Sequence, residues 1–333
     1  MKIVCDDKIP YIRETLALLA DEVVYLKGSS ITAYDVRDAD ALIVRTRTRC
    51  DEGLLAESRV QFVATATIGY DHLDTEWLEQ AGIEWTNCPG CNSGSVAQYV
   101  ESVLSLLLPF GEAGTGSTLG VVGCGHVGSK VVEVGRRLGM RVLVNDPPLA
   151  AKTSSAGFVS LETIAREADV ITFHVPLDES THYLADERFF RLLKRQPVII
   201  NSSRGGVVDE EVLLRALDEG LVSRAVIDTW EHEPCLSRTL LYKTFIGTPH
   251  IAGYSADGKV NADNMVVEAL CRHFHLPLPP KILAPKLPKD FVYTGHVLEL
   301  YNAMNDSQKL KERPEAFEEL RGNYPLRREV FDI

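Results

Sequence analysis

Three stretches of the chain gather residues able to act on a small organic acid. Asn201-Ser-Ser-Arg204-Gly-Gly is the first, Asp228-Thr-Trp-Glu231-His-Glu233-Pro the second, and Pro249-His250-Ile-Ala-Gly253-Tyr254 the third. An arginine grips a carboxylate through a planar pair of donors. A histidine titrates near neutrality and takes a hydroxyl proton. A carboxylate beside that histidine orients the ring and stabilises its protonated form. Arg204, His250 and Glu233 match these three roles by type, and together they suit hydride transfer from a 2-hydroxy acid. Singly, each has a plainer reading: a surface ion pair, a loop histidine, a solvated loop acid. Their weight comes from standing together downstream of a nucleotide fingerprint.

That fingerprint is Gly123-Cys-Gly125-His126-Val127-Gly128. It follows an apolar run at 119–122 and opens a helical stretch, the context that a dinucleotide site requires. Gly123 serves the tight turn, Gly125 the approach of a pyrophosphate, and Gly128 the packing of helix on strand. The helix start offers free amides to phosphate. The next strand ends at Asp146, which can accept hydrogen bonds from a ribose and repels a 2′-phosphate. No arginine follows in Asp146-Pro-Pro-Leu-Ala-Ala, so NAD is expected rather than NADP.

These residues need a frame. Short apolar runs alternate with helical spacing throughout, which predicts an α/β fold with parallel sheets. Strands are expected at 2–5, 41–45 and 62–65, then at 119–122, 141–145, 170–175, 198–202 and 225–228. Helices are expected at 11–19, 127–138, 161–168, 187–193, 210–218 and 256–274. Asp186 and Asp209 are expected N-caps. Ser95 and Gln98 have capping-box spacing and predict a helix opening at Ser95. The prolines at 277, 279, 280, 285 and 288 mark a stiff linker, and the tail beyond them is too short for a large core of its own.

Composition bounds the partners. The 333 residues suggest about two domains at roughly 150 residues each. A net charge of −12 argues against nucleic acid and anionic lipid. The longest apolar stretch, near 103–110, falls short of a membrane span, and the N-terminus lacks the apolar core of a secretion signal. Seven scattered cysteines suit a reduced, cytoplasmic setting. Cys88-Pro-Gly-Cys91 has redox spacing, but no second pair completes a zinc site, so no metal is expected. His174 is expected to be structural or near the cofactor, and His232 exposed.

The series Gly123–Gly128, Asp146, Arg204-Gly-Gly, Glu233-Pro and His250 resembles the D-isomer-specific 2-hydroxyacid dehydrogenase family. Further matches are Asp40-Ala-Leu-Ile-Val-Arg45, Thr65-Ala-Thr67, Asp71-His-Leu-Asp74, Pro89-Gly-Cys-Asn92 and Thr172-Phe-His174. Phe317-Glu-Glu-Leu-Arg-Gly-Asn-Tyr324 and Arg327-Arg-Glu329 extend the likeness into the tail. The resemblance covers nearly the whole chain. Within the family these local matches are most similar to members acting on a phosphorylated 2-hydroxy acid. The resemblance implies that Arg204 binds the substrate carboxylate, that Glu233 pairs with His250, and that His250 accepts the proton. It implies substrate contacts from Thr46, Thr67 and Tyr254. It places Ser202, Ser203, Arg204, Asp228, Gly253 and the position of Val175 near NAD. Thr46 stands where the family usually has Ser, and Val175 where it often has Thr.

The expected architecture is therefore two Rossmann-like doubly wound parallel-sheet domains with an active-site cleft between them. Residues 1–93 and 256–280 form a substrate (lid) domain, 94–255 the NAD-binding domain, and 281–333 a C-terminal segment that assists a homodimer. Arg45 and Arg47, at a strand end, are candidates for the substrate phosphate. Arg327 or Arg328 is expected to reach across the dimer to help. Glycerate or 3-phosphoglycerate remain alternative substrates, and a non-catalytic NAD-sensing corepressor on the same fold is the alternative of another class.

Overall fold

The computed structural model describes residues 1–153 and 157–329. The chain divides into two compact units, Met1–Asn92 with Ser255–Pro288, and Ser93–Tyr254 with Lys289–Ile333. The last four residues of the expected tail segment lie outside the described residues.

The first unit carries five strands: β1 Lys2–Asp6, β2 Glu22–Leu26, β3 Ala41–Val44, β4 Phe62–Thr65 and β5 Glu84–Thr86. They lie in the order β2-β1-β3-β4-β5, and every pairing is parallel. β3 and β4 are buried along their whole length, as strands covered on both faces must be. These central strands follow the continuous apolar runs of the sequence. The edge strands β2 and β5 begin on exposed Glu22 and Glu84 and are only partly buried; β5 is too short for an apolar run, whereas β2 holds Val23-Val24-Tyr25-Leu26.

One face of this sheet is closed by the helix Ala256–His273, which starts at Ser255, whose hydroxyl accepts from the Gly258 amide. Ala262, Val266, Val267 and Leu270 meet Ile3, Ile43, Phe62 and Ala64 in one core. Each large aliphatic side chain so buried contributes about 1.5–3 kcal/mol. Cys88 lies in this core too, its thiol donating to the carbonyls of Thr65 and Ala262 at 3.4 Å. Burial pushes both the Cys88 and Cys5 thiols up, away from the reactive thiolate.

The second unit has six strands: β6 Thr118–Val122, β7 Arg141–Asn145, β8 Val170–Phe173, β9 Val198–Asn201, β10 Arg224–Ile227 and β11 Ile246–Gly247. Their order is β11-β10-β9-β8-β6-β7, again all parallel. The chain leaves β6 to one side for β7, then crosses to the other for β8. Such a reversal opens a crevice at the carboxyl end of the strands, where open α/β sheets bind ligands. Asp186 and Asp209 cap the helices Glu187–Leu192 and Glu210–Asp218 as expected. The long helix begins at Ser93 rather than Ser95. Ser95 is therefore no N-cap; its hydroxyl donates to the Ala252 carbonyl at 2.9 Å. A tertiary contact has taken the side chain that local spacing assigned to a cap. Helices Ala303–Glu312 and Phe317–Gly322 of the tail pack into this unit, with Leu310 and Phe317 in its core. Among the described residues no helix is long and apolar enough to cross a membrane.

Asp263 sits on the sheet-covering helix of the first unit, 1% exposed. It accepts from the Tyr11 amide at 3.2 Å. Burial raises its carboxyl from 3.8 to about 7. A carboxyl raised on folding binds its proton more tightly in the native state, so stability is highest at low pH. It falls as pH climbs from about 4 to about 7. Asp263→Asn keeps an acceptor for Tyr11 without the charge. The variant is expected to melt at or near the wild-type temperature at pH 5 and higher at pH 8. A gain on the order of 1 kcal/mol corresponds to roughly 2–4 °C. Thermal melts at both pH values check it.

Candidate active site

The turn after β6 forms the expected cradle. Gly123 has φ +86°, a left-handed conformation that suits glycine, and donates its amide to the Asn145 carbonyl at 2.8 Å. Gly128 presses on the same turn: a Cβ there would lie 1.9 Å from the Gly123 carbonyl oxygen. Gly125 faces open space and is the N-cap of the helix His126–Arg137, with no side chain capping it. The first-turn amides and the positive end of this helix are thus presented to an anion. His126 is exposed and Val127 half-buried beside them. Asp146 is pinned by two backbone donors, Cys124 N at 2.8 Å on Oδ2 and Leu149 N at 2.9 Å on Oδ1. Its remaining lone pairs are placed for ribose hydroxyls. At the end of β9, the Ser202 hydroxyl is buried without a hydrogen-bond partner, a polar atom that a bound group would satisfy. The residues present fit a dinucleotide. Val175 adjoins Gly123 with a branched apolar side chain, so it offers packing and no hydroxyl. His174 bonds Thr172 through Nε2 at 3.0 Å, and burial lowers its imidazole to about 3, which keeps it a neutral structural group.

Glu233 and His250 meet as expected. His250 Nδ1 lies 2.8 Å from Glu233 Oε2 and 3.0 Å from Oε1. That contact fixes the ring so that Nε2 is the nitrogen left to exchange a proton. Burial alone would raise the Glu233 carboxyl. The His250 ring, the Trp230 amide at 2.9 Å and Arg321 outweigh burial and hold it below its usual range. His250 itself has φ +56°, so the loop that carries it needs an external hold.

Asp228 supplies that hold. Expected only to lie near NAD through its backbone, it is 1% exposed and spends its carboxylate on the loop 248–252. Oδ1 accepts from Thr248 Oγ1 at 2.6 Å and Ile251 N at 2.8 Å; Oδ2 accepts from Ala252 N at 2.9 Å. Its carbonyl takes the His250 amide at 2.8 Å. With the Thr248 proton given to Asp228, the buried Tyr99 hydroxyl donates to Thr248 Oγ1 at 2.9 Å.

Arg204 follows β9 and is half-buried. Its carbonyl accepts from Asn201 Nδ2 at 2.9 Å, and its Nη1 donates to the Ser203 carbonyl at 2.8 Å. Ser203 is tied to Asn201 Oδ1 by both its amide and its hydroxyl. The loop after β9 is therefore built around Asn201. Nearby, Glu210 and Glu231 each accept the other's backbone amide, at 2.9 and 3.1 Å. Burial raises Glu210 to about 7.

The tail brings residues that sequence reasoning missed or misplaced. Arg327 does not reach out of its chain: it is 8% exposed. It donates to the carbonyls of Ile251 at 3.0 Å and Ser95 at 3.2 Å, to that of Ala252, and to Gln98 Oε1 at 3.0 Å. It also stacks 4.0 Å from the centre of the Tyr301 ring. The expected cross-dimer role is thus corrected for Arg327, because its donors are spent on backbone within its own unit. Arg321 lies in the matched tail stretch Phe317–Tyr324, which gave it no role. Its Nε donates to Tyr254 Oη at 3.3 Å, and its Nη1 lies 3.6 Å from Glu233 Oε2.

In the first unit, Arg45 follows β3 and is gripped by the fully buried Asp6 at the end of β1, at 3.3 and 3.4 Å. Thr46 and Arg47 are exposed on the turn that follows. The Thr67 hydroxyl donates to the Gly69 carbonyl at 2.8 Å and lies 2.7 Å from Thr65 Oγ1, which His72 Nε2 meets at 3.0 Å. Among the described residues no group of three or more His, Cys, Asp or Glu is arranged to hold a metal ion.

The chain is similar to known proteins. The family model for the D-isomer specific 2-hydroxyacid dehydrogenase NAD binding domain matches residues 108–252. The chain is 52% identical over 338 residues to the erythronate-4-phosphate dehydrogenase of Bacteroides thetaiotaomicron, covering 99% of this chain and 97% of that one. It is 42% identical over 349 residues to the enzyme of the same name from Edwardsiella ictaluri, covering 99% and 93%. Among solved structures, the NAD⁺-bound 3-phosphoglycerate dehydrogenase of Entamoeba histolytica matches at 27% identity with a TM-score of 0.69, covering 83% of this chain and 95% of that one.

The two helix-start glycines make opposite predictions. Gly128→Ala drives a methyl into the Gly123 carbonyl and is expected to lower the melting temperature sharply. Gly125→Ala meets nothing within the protein and is expected to melt close to wild type. It should nevertheless bind NAD about 10-fold more weakly, near 1.4 kcal/mol. Melting curves and NAD titrations by tryptophan fluorescence separate the two effects.

Proposed function

The chain belongs to the erythronate-4-phosphate dehydrogenase family, within the D-isomer specific 2-hydroxyacid dehydrogenases, and from that premise we propose how its own residues carry the reaction. It is an NAD-dependent dehydrogenase that oxidises 4-phospho-D-erythronate at C2 to (R)-3-hydroxy-2-oxo-4-phosphooxybutanoate, a step of pyridoxal 5′-phosphate (vitamin B6) biosynthesis. The observation that carries the reading is the 2.8 Å His250–Glu233 pair in the same unit as an intact dinucleotide cradle.

NAD, when bound, supplies the nicotinamide carbon that accepts the C2 hydride. Gly123, Gly125 and Gly128 with the helix start hold its phosphates, and Asp146 its adenosine ribose. Arg204 grips the substrate carboxylate. His250 takes the C2 hydroxyl proton on Nε2, and Glu233 stabilises the imidazolium that forms. Thr46, Thr67 and Tyr254 contact the substrate, with Thr46 supplying the hydroxyl that Ser usually gives in the family. Arg45 and Arg47 receive the phosphate, and the grip of Asp6 fixes the plane of the Arg45 guanidinium. Few arginines aimed at the substrate suffice in an acidic protein, because screening confines the −12 net charge to local fields.

The reading includes a homodimer assisted by the tail and a cytoplasmic location. The seven cysteines, all free, support a reducing compartment.

Assays of NADH formation with 4-phospho-D-erythronate, 3-phosphoglycerate and glycerate test the substrate, with a clear preference for the first expected. A preference for either of the others overturns the assignment. His250→Ala is expected to lower kcat at least ~100-fold, the usual scale of a general base. Arg47→Ala is expected to raise KM for the phosphorylated acid while leaving NAD affinity unchanged.

A further inference from the structure

Arg321 stands in the tail stretch Phe317–Tyr324, to which the likeness assigns no catalytic part, yet it touches two residues of the site. Its guanidinium spans Tyr254 Oη at 3.3 Å and Glu233 Oε2 at 3.6 Å. Glu233 Oε2 is also the atom 2.8 Å from His250 Nδ1. Four side chains thus form one array, His250–Glu233–Arg321–Tyr254. The arginine side chain is 22% exposed and the glutamate 18%, so the cation and the carboxylate interact with little screening by water.

The array is held firmly. Arg321 is carried by the helix Phe317–Gly322, whose Phe317 is 1% exposed in the core of the second unit. Six residues on, Arg327 is buried and bound to the carbonyls of Ile251 and Ala252, next to His250. The tail is fixed on both sides of the catalytic loop, so Arg321 does not sample the site as a loose surface cation would.

We infer that Arg321 is a positioning residue for the dehydrogenase reaction, acting through Glu233 and Tyr254. The inference rests on the proposal that His250 is the proton acceptor. A carboxylate alone beside an imidazole favours the imidazolium and slows its return to the base form. A second cation on the same carboxylate oxygen competes for that charge and weakens the pull of Glu233 on the ring. The same guanidinium donates to the Tyr254 hydroxyl and fixes where that ring stands. Other charges lie around the pair: Glu210, which acts on Glu233; Glu231, bonded to Glu210; Asp228, whose carbonyl holds the His250 amide; and Glu318 on the arginine's own helix. These are all acids. Arg321 is the cation shown in contact with Glu233 from outside the His250 ring.

The test is the pH dependence of kcat/KM in wild type, Arg321→Met and Arg321→Lys, with NAD titration and thermal melts to show that each variant is folded. Arg321→Met is expected to move the acidic limb upward by about half a unit to one unit and to lower kcat about 10-fold. NAD affinity should stay unchanged. Arg321→Lys restores the limb, since it restores the charge, and recovers kcat only in part, since it lacks the planar donor pair. Glu210 titrates in the same range, so the comparison is repeated on Glu210→Gln, where the displacement should persist. If Arg321→Met does not fold, Arg321→Gln and Arg321→Lys carry the same comparison. A reduced rate with the limb in place overturns the inference, as does a rise confined to substrate KM. His250→Ala run alongside keeps the failures apart. An active His250→Ala overturns the proton-acceptor reading itself, and an inactive one with an unmoved limb in Arg321→Met overturns only the role of Arg321.

Discussion

The site depends on one buried carboxylate. Asp228 accepts three hydrogen bonds from the segment 248–252, and its carbonyl accepts a fourth from His250. Hydrogen bonds to a charged acceptor contribute about 1.5–3 kcal/mol each. The left-handed backbone at His250 costs of order 1–3 kcal/mol. The bonds outweigh the strain, so the loop stays in a conformation that turns the imidazole toward Glu233. Asp228 is itself placed by β10, a short central strand locked between β9 and β11. Sheet, carboxylate, loop and imidazole form one chain of dependence, and the His250–Glu233 pair is its last member.

The C-terminal tail enters the same chain from the other side. Arg327 is a buried cation whose hydrogen bonds go chiefly to backbone carbonyls and neutral side chains, with the Tyr301 ring against its face. Such a group is costly to bury, and it is tolerated because its donors are met. It joins the helix Ser93–Leu107, through Ser95 and Gln98, to the carbonyls of Ile251 and Ala252. Removing water from both sides of the loop strengthens every electrostatic contact within it.

Much of this was legible in the sequence where the signal is local. The glycines of 123–128 state their own backbone requirements, and Asp186 and Asp209 cap the helices beside them. Central strands read as apolar runs because both faces are covered. Arg204, Glu233 and His250 could be picked by type, since they follow strands whose ends gather ligands. What stayed hidden is long-range. Ser95 has the spacing of a cap but answers to Ala252, far along the chain. Asp228 resembles any acid at a strand end until the loop closes over it. Arg321 and Arg327 sit in a tail of balanced charge, and nothing nearby shows that one faces Glu233 and the other is buried. Of the edge strands, β5 escaped because three residues hold no apolar run, while β2 was present in the run Val23–Leu26 and was passed over.

The discontinuity of the first unit bears on how the protein is made. Its sheet is complete once residue 86 has emerged, but the helix that covers one face begins at Ala256. Ile3, Ile43, Phe62 and Ala64 wait for Val266 and Leu270 while the body of the second unit is synthesised. At ~5–20 residues per second that interval is roughly ten to thirty seconds. Throughout it a growing chain on the ribosome carries an aliphatic sheet face that Ile12 and Leu16 cover only in part. The second unit faces the opposite order: its sheet is finished by Gly247, and Arg321 and Arg327, which meet the stretch 250–254, are made after it. The nucleotide cradle is therefore formed before the tail contacts that hold the loop at His250.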